Sequence, residues 1–179
     1  MIQPVPAVQK KILTPLQRRV LMASPAGWIA SGLGSGLTPW AQGTFGSAAA
    51  IIPWLALRHL PWPLYALVVG LTFALGVWAC DVAGRALGID DHRSLVIDEF
   101  VGQWIALWPI VAVASWQGVL LGFVLFRLFD VWKPWPIRWL DRHLKGGMGV
   151  MVDDLVAGVF AALAAAAALY ACGVALASP

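Results

Sequence analysis

The stretch "LVAGVFAALAAAAALYACGVALA", residues 155–177, has no charged residue and is long enough to cross a membrane as a single helix. A helix needs roughly 20 apolar residues to span the hydrocarbon core of a bilayer. Its alanines leave a small surface that allows a neighbouring helix to approach closely. We therefore expect a membrane-spanning helix that packs tightly against other helices.

The whole chain has the same character. Of its 179 residues, 60% are hydrophobic and 12% are charged, whereas soluble domains are about 45–50% apolar and about 25% charged. A chain of this length could not hide so much apolar surface from water. The formal charge of +3 comes without a long basic run or zinc-finger spacing, so we expect no nucleic-acid partner.

Five apolar segments are recognisable, and several are shorter than a full span, so their helices must extend into the flanks or tilt. They are Ala48–Leu57, Leu64–Cys80, Phe100–Ser115, Val119–Phe129 and Leu155–Leu176. The pattern predicts an all-α, polytopic helical membrane protein. A single transmembrane domain over residues 32–179 would follow a cytoplasmic or interfacial head over residues 1–31.

The charges set the expected orientation. With the head inside the cell, eleven of the twelve Lys and Arg residues fall on the inner side, and only Arg58 does not. This distribution satisfies the positive-inside rule. All nine Asp and Glu residues also fall inside, which the rule does not explain. Cys80 and Cys172 lie near opposite ends of their segments, so we expect no disulfide.

The stretch "WPIRWLDRHLKGG", residues 135–147, predicts an interfacial amphipathic helix that starts at Pro136 and ends at Gly146. Its tryptophans share one side, and Arg138, Arg142 and other charged residues share the other. Membrane anchoring is the favoured role for this helix. The alternative is that its charges attract an anionic lipid headgroup.

Three acidic clusters stand at the edges of apolar segments, in "IDEFVG", "FRLFDVWKPWP" and "GGMGVMVDDLVAG". Carboxylates at such depth are costly unless they are paired or bind a metal ion, and Mg²⁺ favours oxygen ligands of this kind. We therefore expect one metal site built from three helix ends. Its candidate ligands are Asp98, Glu99, Asp130, Asp153 and Asp154.

Helix capping is the alternative for four of these acids, because carboxylates also stabilise helix N-termini. Capping does not explain Asp130, which would lie at a C-terminal end. The spacing of Arg127, Asp130 and Lys133 places them on roughly one helix face. The two bases would either bind phosphate or form salt bridges that make Asp130 tolerable.

A glycine-rich stretch, "GLGSGLTPWAQGTFGS" at residues 32–47, has two comparable interpretations. Small residues favour tight helix packing. Alternatively, Gly43, Thr44 and Ser47 would open a helix whose free N–H groups bind an anion. His92, in "DDHRS", is expected in a surface loop, with proton transfer or metal binding as the lesser alternative.

With these motifs the chain resembles the phosphatidylglycerophosphatase A family. The glycine-rich stretch, "DEFVG", "FRLFDVWKPWPIRWLDR" and "GGMGVMVDDLVAG" follow the family pattern in order, and together they are highly specific. Thr38 stands where the family has Ser, and Gln42 stands where it has Pro. Neither departure removes an acidic position.

The resemblance implies a Mg²⁺-dependent lipid phosphatase of the bacterial inner membrane with its active site facing the cytoplasm. Its substrate would be phosphatidylglycerophosphate. Asp98, Glu99, Asp130, Asp154, Arg127 and Lys133 would be catalytic, and Gly43, Thr44, Ser47 and Arg138 would bind the phosphate. The alternative from another class is a small multi-pass cation transporter. Oligomeric state is left open.

Overall fold

The computed structural model describes residues 13–89, 91–113 and 115–173. All regular structure within these ranges is helical, which confirms the predicted all-α class. The α-helices are α1 (Pro15–Met22), α2 (Pro25–Ala30), α3 (Gln42–Leu57), α4 (Trp62–Leu87), α5 (Ile97–Leu107), α6 (Trp116–Trp132), α7 (Ile137–His143) and α8 (Gly146–Ala171). Short 3-10 helices cover Ser35–Leu37 and Trp108–Ala112. The start of the predicted head, residues 1–12, and the last residues of the fifth apolar segment lie outside the described residues.

Each predicted apolar segment contributes a helix, and α3, α4 and α6 extend into the flanks of their short segments, as expected. The end of the third segment and the start of the fifth differ from the prediction. The third segment was expected to be apolar and continuous from Phe100 to Ser115, yet α5 ends at Leu107 and a 3-10 turn follows. Pro109 explains the break, because proline has no N–H for the helical ladder and its ring crowds the preceding turn. The last helix begins at Gly146, well before the expected start at Leu155.

Two of the described helices, α4 and α8, are long and apolar enough to cross a membrane. Helix α4 also presents apolar side chains outward at helical spacing. These are Leu64, Leu67, Leu71, Leu75 and Trp78, each about half exposed. The number of about five membrane segments stays a prediction.

Helices α5 and α8 cross with their backbones almost in contact. A Cβ at Gly158 would lie 2.4 Å from the Gly102 carbonyl oxygen, so only glycine allows this approach. Ala157, Ala161 and Ala165 continue the same face and are fully buried. The close approach expected from the alanine-rich sequence is therefore confirmed.

The first turn of α8 is fixed against α4. A Cβ at Gly147 would overlap the Val77 carbonyl oxygen, and the Gly147 N–H donates to Asp81 Oδ1 at 2.6 Å. Asp81 thus satisfies one of the free donors at the start of α8. Helix α8 thus contacts α4 at Gly147 and α5 at Gly158. Its acidic residues lie between these two contacts and face the first turn of α5.

The described part of the predicted head packs against the same hydrophobic core as the other helices. Leu21, Ala26 and Ala30 of α1 and α2 are buried in the main core, and both helices contact α4. The division at residue 31 stays a prediction. Cys80 is buried, Cys172 is exposed, and both are free thiols, as expected.

Candidate active site

One cavity of about 610 Å³ is lined by seven carboxylates, namely Asp91, Asp141 and five acids from α5, α6 and α8. Asp98 and Glu99 come from the first turn of α5, and Asp130 comes from the last turn of α6. Asp153 and Asp154 come from α8. The cavity therefore contains all five acids that the sequence nominated as metal ligands.

Capping does not explain the acids of α8. They were expected to open this helix, but α8 starts at Gly146, so Asp153 and Asp154 lie about two turns inside it. Both are buried, with 6% and 3% of their surface exposed. Among the first-turn acids of α5, only Asp98 bonds backbone locally, where its Oδ1 accepts the Glu99 N–H at 2.9 Å.

Glu99 is held by side chains from two other helices. Ser47 Oγ of α3 donates to Glu99 Oε2 at 2.5 Å, and Arg127 Nη1 of α6 lies 2.7 and 2.6 Å from the two carboxylate oxygens. The same Arg127 nitrogen lies 2.9 Å from Asp130. One partly buried guanidinium thus neutralises charge on two of the acids.

Gly43 makes room for this pair. A Cβ there would overlap Glu99 Oε1 and approach the Arg127 guanidinium at 3.1 Å. A side chain at this position in the first turn of α3 would therefore displace the Glu99 carboxylate.

Lys133 connects α6 to the two following helices. It follows the last residue of α6 as a cap in a left-handed conformation, with φ +46°, and lines one cavity together with Arg127 and Asp130. Its ammonium lies 2.6 Å from Asp153 and 2.7 Å from Asp141. Burial opposes the charge of Lys133, but the two carboxylates outweigh it and raise the pKa of the ammonium.

The remaining acids have no cation partner within the described ranges. Neither Asp98 nor Asp154 forms a salt bridge there. Asp154 Oδ2 and Asp153 Oδ1 are buried without a hydrogen-bond partner, which is costly unless a ligand satisfies them. Still, no three His, Cys, Asp or Glu side chains in the described parts of the chain already stand as a preformed metal site.

A second cavity, of about 680 Å³, opens beside the start of α3 and shares Asp98, Glu99 and Asp130 with the first. Gly43 and the exposed Thr44 line it. The first N–H groups of a helix have no intrahelical partner, so this turn offers neutral donors next to the acids. Ser47 is different, because it is fully buried and its hydroxyl bonds Glu99.

Comparison with known proteins identifies the family of this chain. The family model of phosphatidylglycerophosphatase A matches residues 28–169. The chain belongs to the phosphatidylglycerophosphatase A family. The match includes every residue of the acidic cavity.

Curated bacterial relatives agree with this assignment. A phosphatidylglycerophosphatase A of Escherichia coli is 51% identical over 80% of this chain and 83% of its own length. One of Haemophilus influenzae is 39% identical over 86% of this chain and 94% of its own. A protein of Bacteroides thetaiotaomicron, 41% identical over 81% of this chain and 94% of its own, is provisionally named a phosphatidylinositol-3-phosphatase. No solved structure matches the chain. As a member of the phosphatidylglycerophosphatase A family, the chain is an enzyme, a phosphatase.

One candidate residue, Arg138, lies away from the acids. Arg138 Nη2 donates to the Trp132 carbonyl oxygen at 3.1 Å, and Arg138 lines a separate groove beside α7. It is not among the residues that line the two cavities. The structure therefore does not bring Arg138 to the site as it stands.

Two cations that sequence reasoning left out do line the acidic cavity, namely Arg142 and Lys145. From the sequence, anchoring was the favoured role of the amphipathic helix, attraction of an anionic lipid headgroup was the alternative, and only Arg138 on its polar face was nominated to bind phosphate. Their position in the sequence could have indicated this. Both residues come after Asp141, just before α8 begins, and the chain there must reach the acidic end of α8.

His92 was wrongly expected on the surface. It is 1% exposed, and its Nδ1 accepts the Ser94 N–H at 3.1 Å. Burial lowers the pKa of the imidazole. His92 is not among the residues that line either cavity, so it packs behind the site.

Proposed function

We propose that this enzyme hydrolyses the terminal phosphomonoester of phosphatidylglycerophosphate to phosphatidylglycerol and inorganic phosphate. One observation carries the proposal: in a chain of this family, five carboxylates from α5, α6 and α8 line one cavity, where Lys133 joins them and Arg127 contacts Glu99 and Asp130. The named relatives from Escherichia coli and Haemophilus influenzae support the choice of lipid.

We also propose that the site faces the cytoplasm from the bacterial inner membrane. The exposed apolar stripe of α4 suits contact with acyl chains, and two described helices are long enough to span. The acidic cavity lies at the ends of α4 and α8 where the basic residues gather, which is the side that the positive-inside rule places in the cytoplasm.

Magnesium is proposed as the metal because the cavity offers oxygen donors, which hard cations prefer. Glu99, Asp130 and Asp153 each have a cation partner. Asp98 and Asp154, which have none among the described residues, would therefore be the principal ligands, with Asp130 as a further ligand that shares Arg127 with Glu99. The buried unpartnered Asp154 Oδ2 supports this choice. When bound, the ion would supply a more acidic water and neutralise charge on the phosphoryl oxygens.

The chain's own residues would bind and orient the phosphate. Arg127 and Lys133 would stabilise the negative charge of the transferring group, which is chiefly an electrostatic task. Glu99 and Asp153 would hold these two bases in place. The N–H groups of Gly43 and Thr44 would add neutral donors from the other side.

Direct attack by water is proposed over a covalent route through Thr44. No carboxylate or imidazole within the described residues hydrogen-bonds the Thr44 hydroxyl, so no base stands ready to activate it. The proton of the water would pass to whichever of Asp98, Asp130 and Asp154 does not contact the metal. A Thr44→Ala variant that retains measurable turnover would agree with water attack.

The test is phosphate release by purified protein in lipid micelles, with and without EDTA. We expect release from phosphatidylglycerophosphate, a much lower rate on phosphatidic acid and on phosphatidylinositol 3-phosphate, and recovery after EDTA when Mg²⁺ is added back. Equal or faster release from phosphatidylinositol 3-phosphate would mean that this lipid is the preferred substrate. Unchanged release in EDTA would show that the reaction needs no metal ion. Family membership does not favour the alternative of a cation transporter.

A further inference from the structure

Beside the acidic cavity runs an apolar groove of about 490 Å³ at α7. Three exposed tryptophans form its walls, Trp132, Trp135 and Trp139, with 60%, 81% and 51% of their surface exposed. Exposed tryptophans at this density are typical of a membrane interface. The groove therefore offers a place where the lipid part of a substrate can meet the protein.

Arg142 stands between this groove and the acids. It lines both the groove and the acidic cavity, and Lys133 is the other charged residue that does so. Lys133 is already paired with Asp153 and Asp141. Arg142 is exposed and forms no salt bridge with any described residue, so its guanidinium is available to a ligand.

The order of these features across the surface is acidic cavity, Arg142, then tryptophan groove. The proposed substrate has a matching order: a terminal phosphomonoester, a glycerol, an internal phosphodiester and a diacylglycerol. With the monoester among the acids and the acyl chains toward the groove, the phosphodiester lies at the boundary. That boundary is occupied by the one guanidinium that lines both spaces.

We propose that Arg142 binds the internal phosphodiester of the substrate lipid and so selects a lipid with two phosphates over one with a single phosphate. The inference rests on the proposed function, since it deepens the specificity of that site. A planar guanidinium suits bidentate contact with the two free oxygens of a phosphodiester. Arg142 is thus a specificity-determining residue, and its contact with the lipid is distinct from membrane anchoring.

Binding of the reaction product tests this without catalysis. Dihexanoyl-phosphatidylglycerol keeps the phosphodiester but lacks the monoester, and below its micelle concentration it offers no membrane surface. In titration calorimetry, Arg142→Ala should weaken its binding roughly 10- to 100-fold, the usual range for a lost charge-assisted hydrogen bond. Inhibition by inorganic phosphate, which would bind at the acids, should change less than twofold in Arg142→Ala. The affinity of Arg142→Lys for the dihexanoyl lipid should lie between those of the wild-type protein and Arg142→Ala.

Steady-state kinetics provide a second test of the role of Arg142. The KM for short-chain phosphatidylglycerophosphate should rise in Arg142→Ala while kcat changes little, and kcat/KM for phosphatidic acid should stay unchanged. Arg85→Ala is the matched control, because Arg85 is an exposed base at the same end of the molecule and does not line this cavity.

Three results would overturn the inference: an equal loss for both lipids, unaltered binding of the phosphatidylglycerol, or an effect seen only with anionic vesicles. The last would make Arg142 an anchoring residue. If the wild-type enzyme released no phosphate from phosphatidylglycerophosphate, the proposed function would fail, while the calorimetry would still report whether Arg142 binds a lipid phosphodiester.

Discussion

The hydroxyl of Ser47 on α3 donates a 2.5 Å hydrogen bond to Glu99 on α5, across 52 residues of sequence. Ser47 is fully buried, and Glu99 in turn contacts Arg127 of α6. A small side chain thereby links three helices at the acidic cavity. Its contribution is to fix the position of Glu99, which determines where the guanidinium of Arg127 lies.

Replacing Ser47→Ala should lower kcat about tenfold and cost about 1 kcal/mol of stability, the usual net value of one hydrogen bond. Glu99 would keep Arg127 but lose its second anchor. Phosphate release and thermal unfolding in detergent measure both effects. Ser115→Ala is the control, since it removes a cap at the other end of α6; it should cost similar stability and leave kcat unchanged. Equal kcat in both variants would contradict the role of Ser47.

Gly43→Ala should lower activity by about 100-fold, because the added methyl group would overlap the Glu99 carboxylate and displace an electrostatic group from the site. The matched control is Gly70→Ala in α4, where a Cβ meets nothing within 4 Å. That variant should keep full activity and gain up to about 1 kcal/mol in helix stability. A fully active Gly43→Ala protein would show that the Glu99–Arg127 position does not matter for turnover.

Asp154→Asn should raise the Mg²⁺ concentration needed for half-maximal activity about tenfold or more and reduce kcat about 100-fold, because a neutral amide is a weaker ligand for a hard cation. A magnesium titration of phosphate release measures both quantities. Asp81→Asn serves as the control, since an amide oxygen can still accept the Gly147 N–H. Should Asp154→Asn titrate like the wild-type enzyme, Asp154 is not a metal ligand.

Lys133→Met should destabilise the protein by about 2 kcal/mol, because it leaves the buried carboxylate of Asp153 without its cation. The double variant Lys133→Met with Asp153→Asn should recover most of the lost thermal stability. Activity should stay low in both, since neither restores a positive charge beside the phosphate. Recovery of activity in the double variant would mean that Lys133 is only a structural partner of Asp153.

Much of the site could be predicted from local sequence. The acids at Asp98, Asp130 and Asp154 were nominated because carboxylates beside apolar segments are costly without a partner, and this reasoning needs no coordinates. The pairing among them could not be predicted. Ser47, Glu99 and Arg127 are separated by tens of residues, and only the packing of α3, α5 and α6 brings them together.

The errors have the same origin. His92 looked like a loop residue because its neighbours are charged, yet the surrounding chain buries it. For Arg142 the anchoring role stays a prediction, and the structure adds that this residue lines the acidic cavity; a helical wheel shows which side a residue is on but not what that side contacts. Arg138, on the same helix, faces the tryptophan groove instead of the acids.

The sequence by itself determined the helical class, the family and the acids that meet at one end of the molecule, because composition, motif order and the cost of buried charge are properties of the chain. The tertiary structure alone decided which acids are paired with a cation and which of the described acids are not. Gly102 and Gly158 allow α5 and α8 to touch, and that contact sets the distances between their carboxylates. Electrostatic energy depends on those distances and on burial, and neither can be obtained from spacing along the chain.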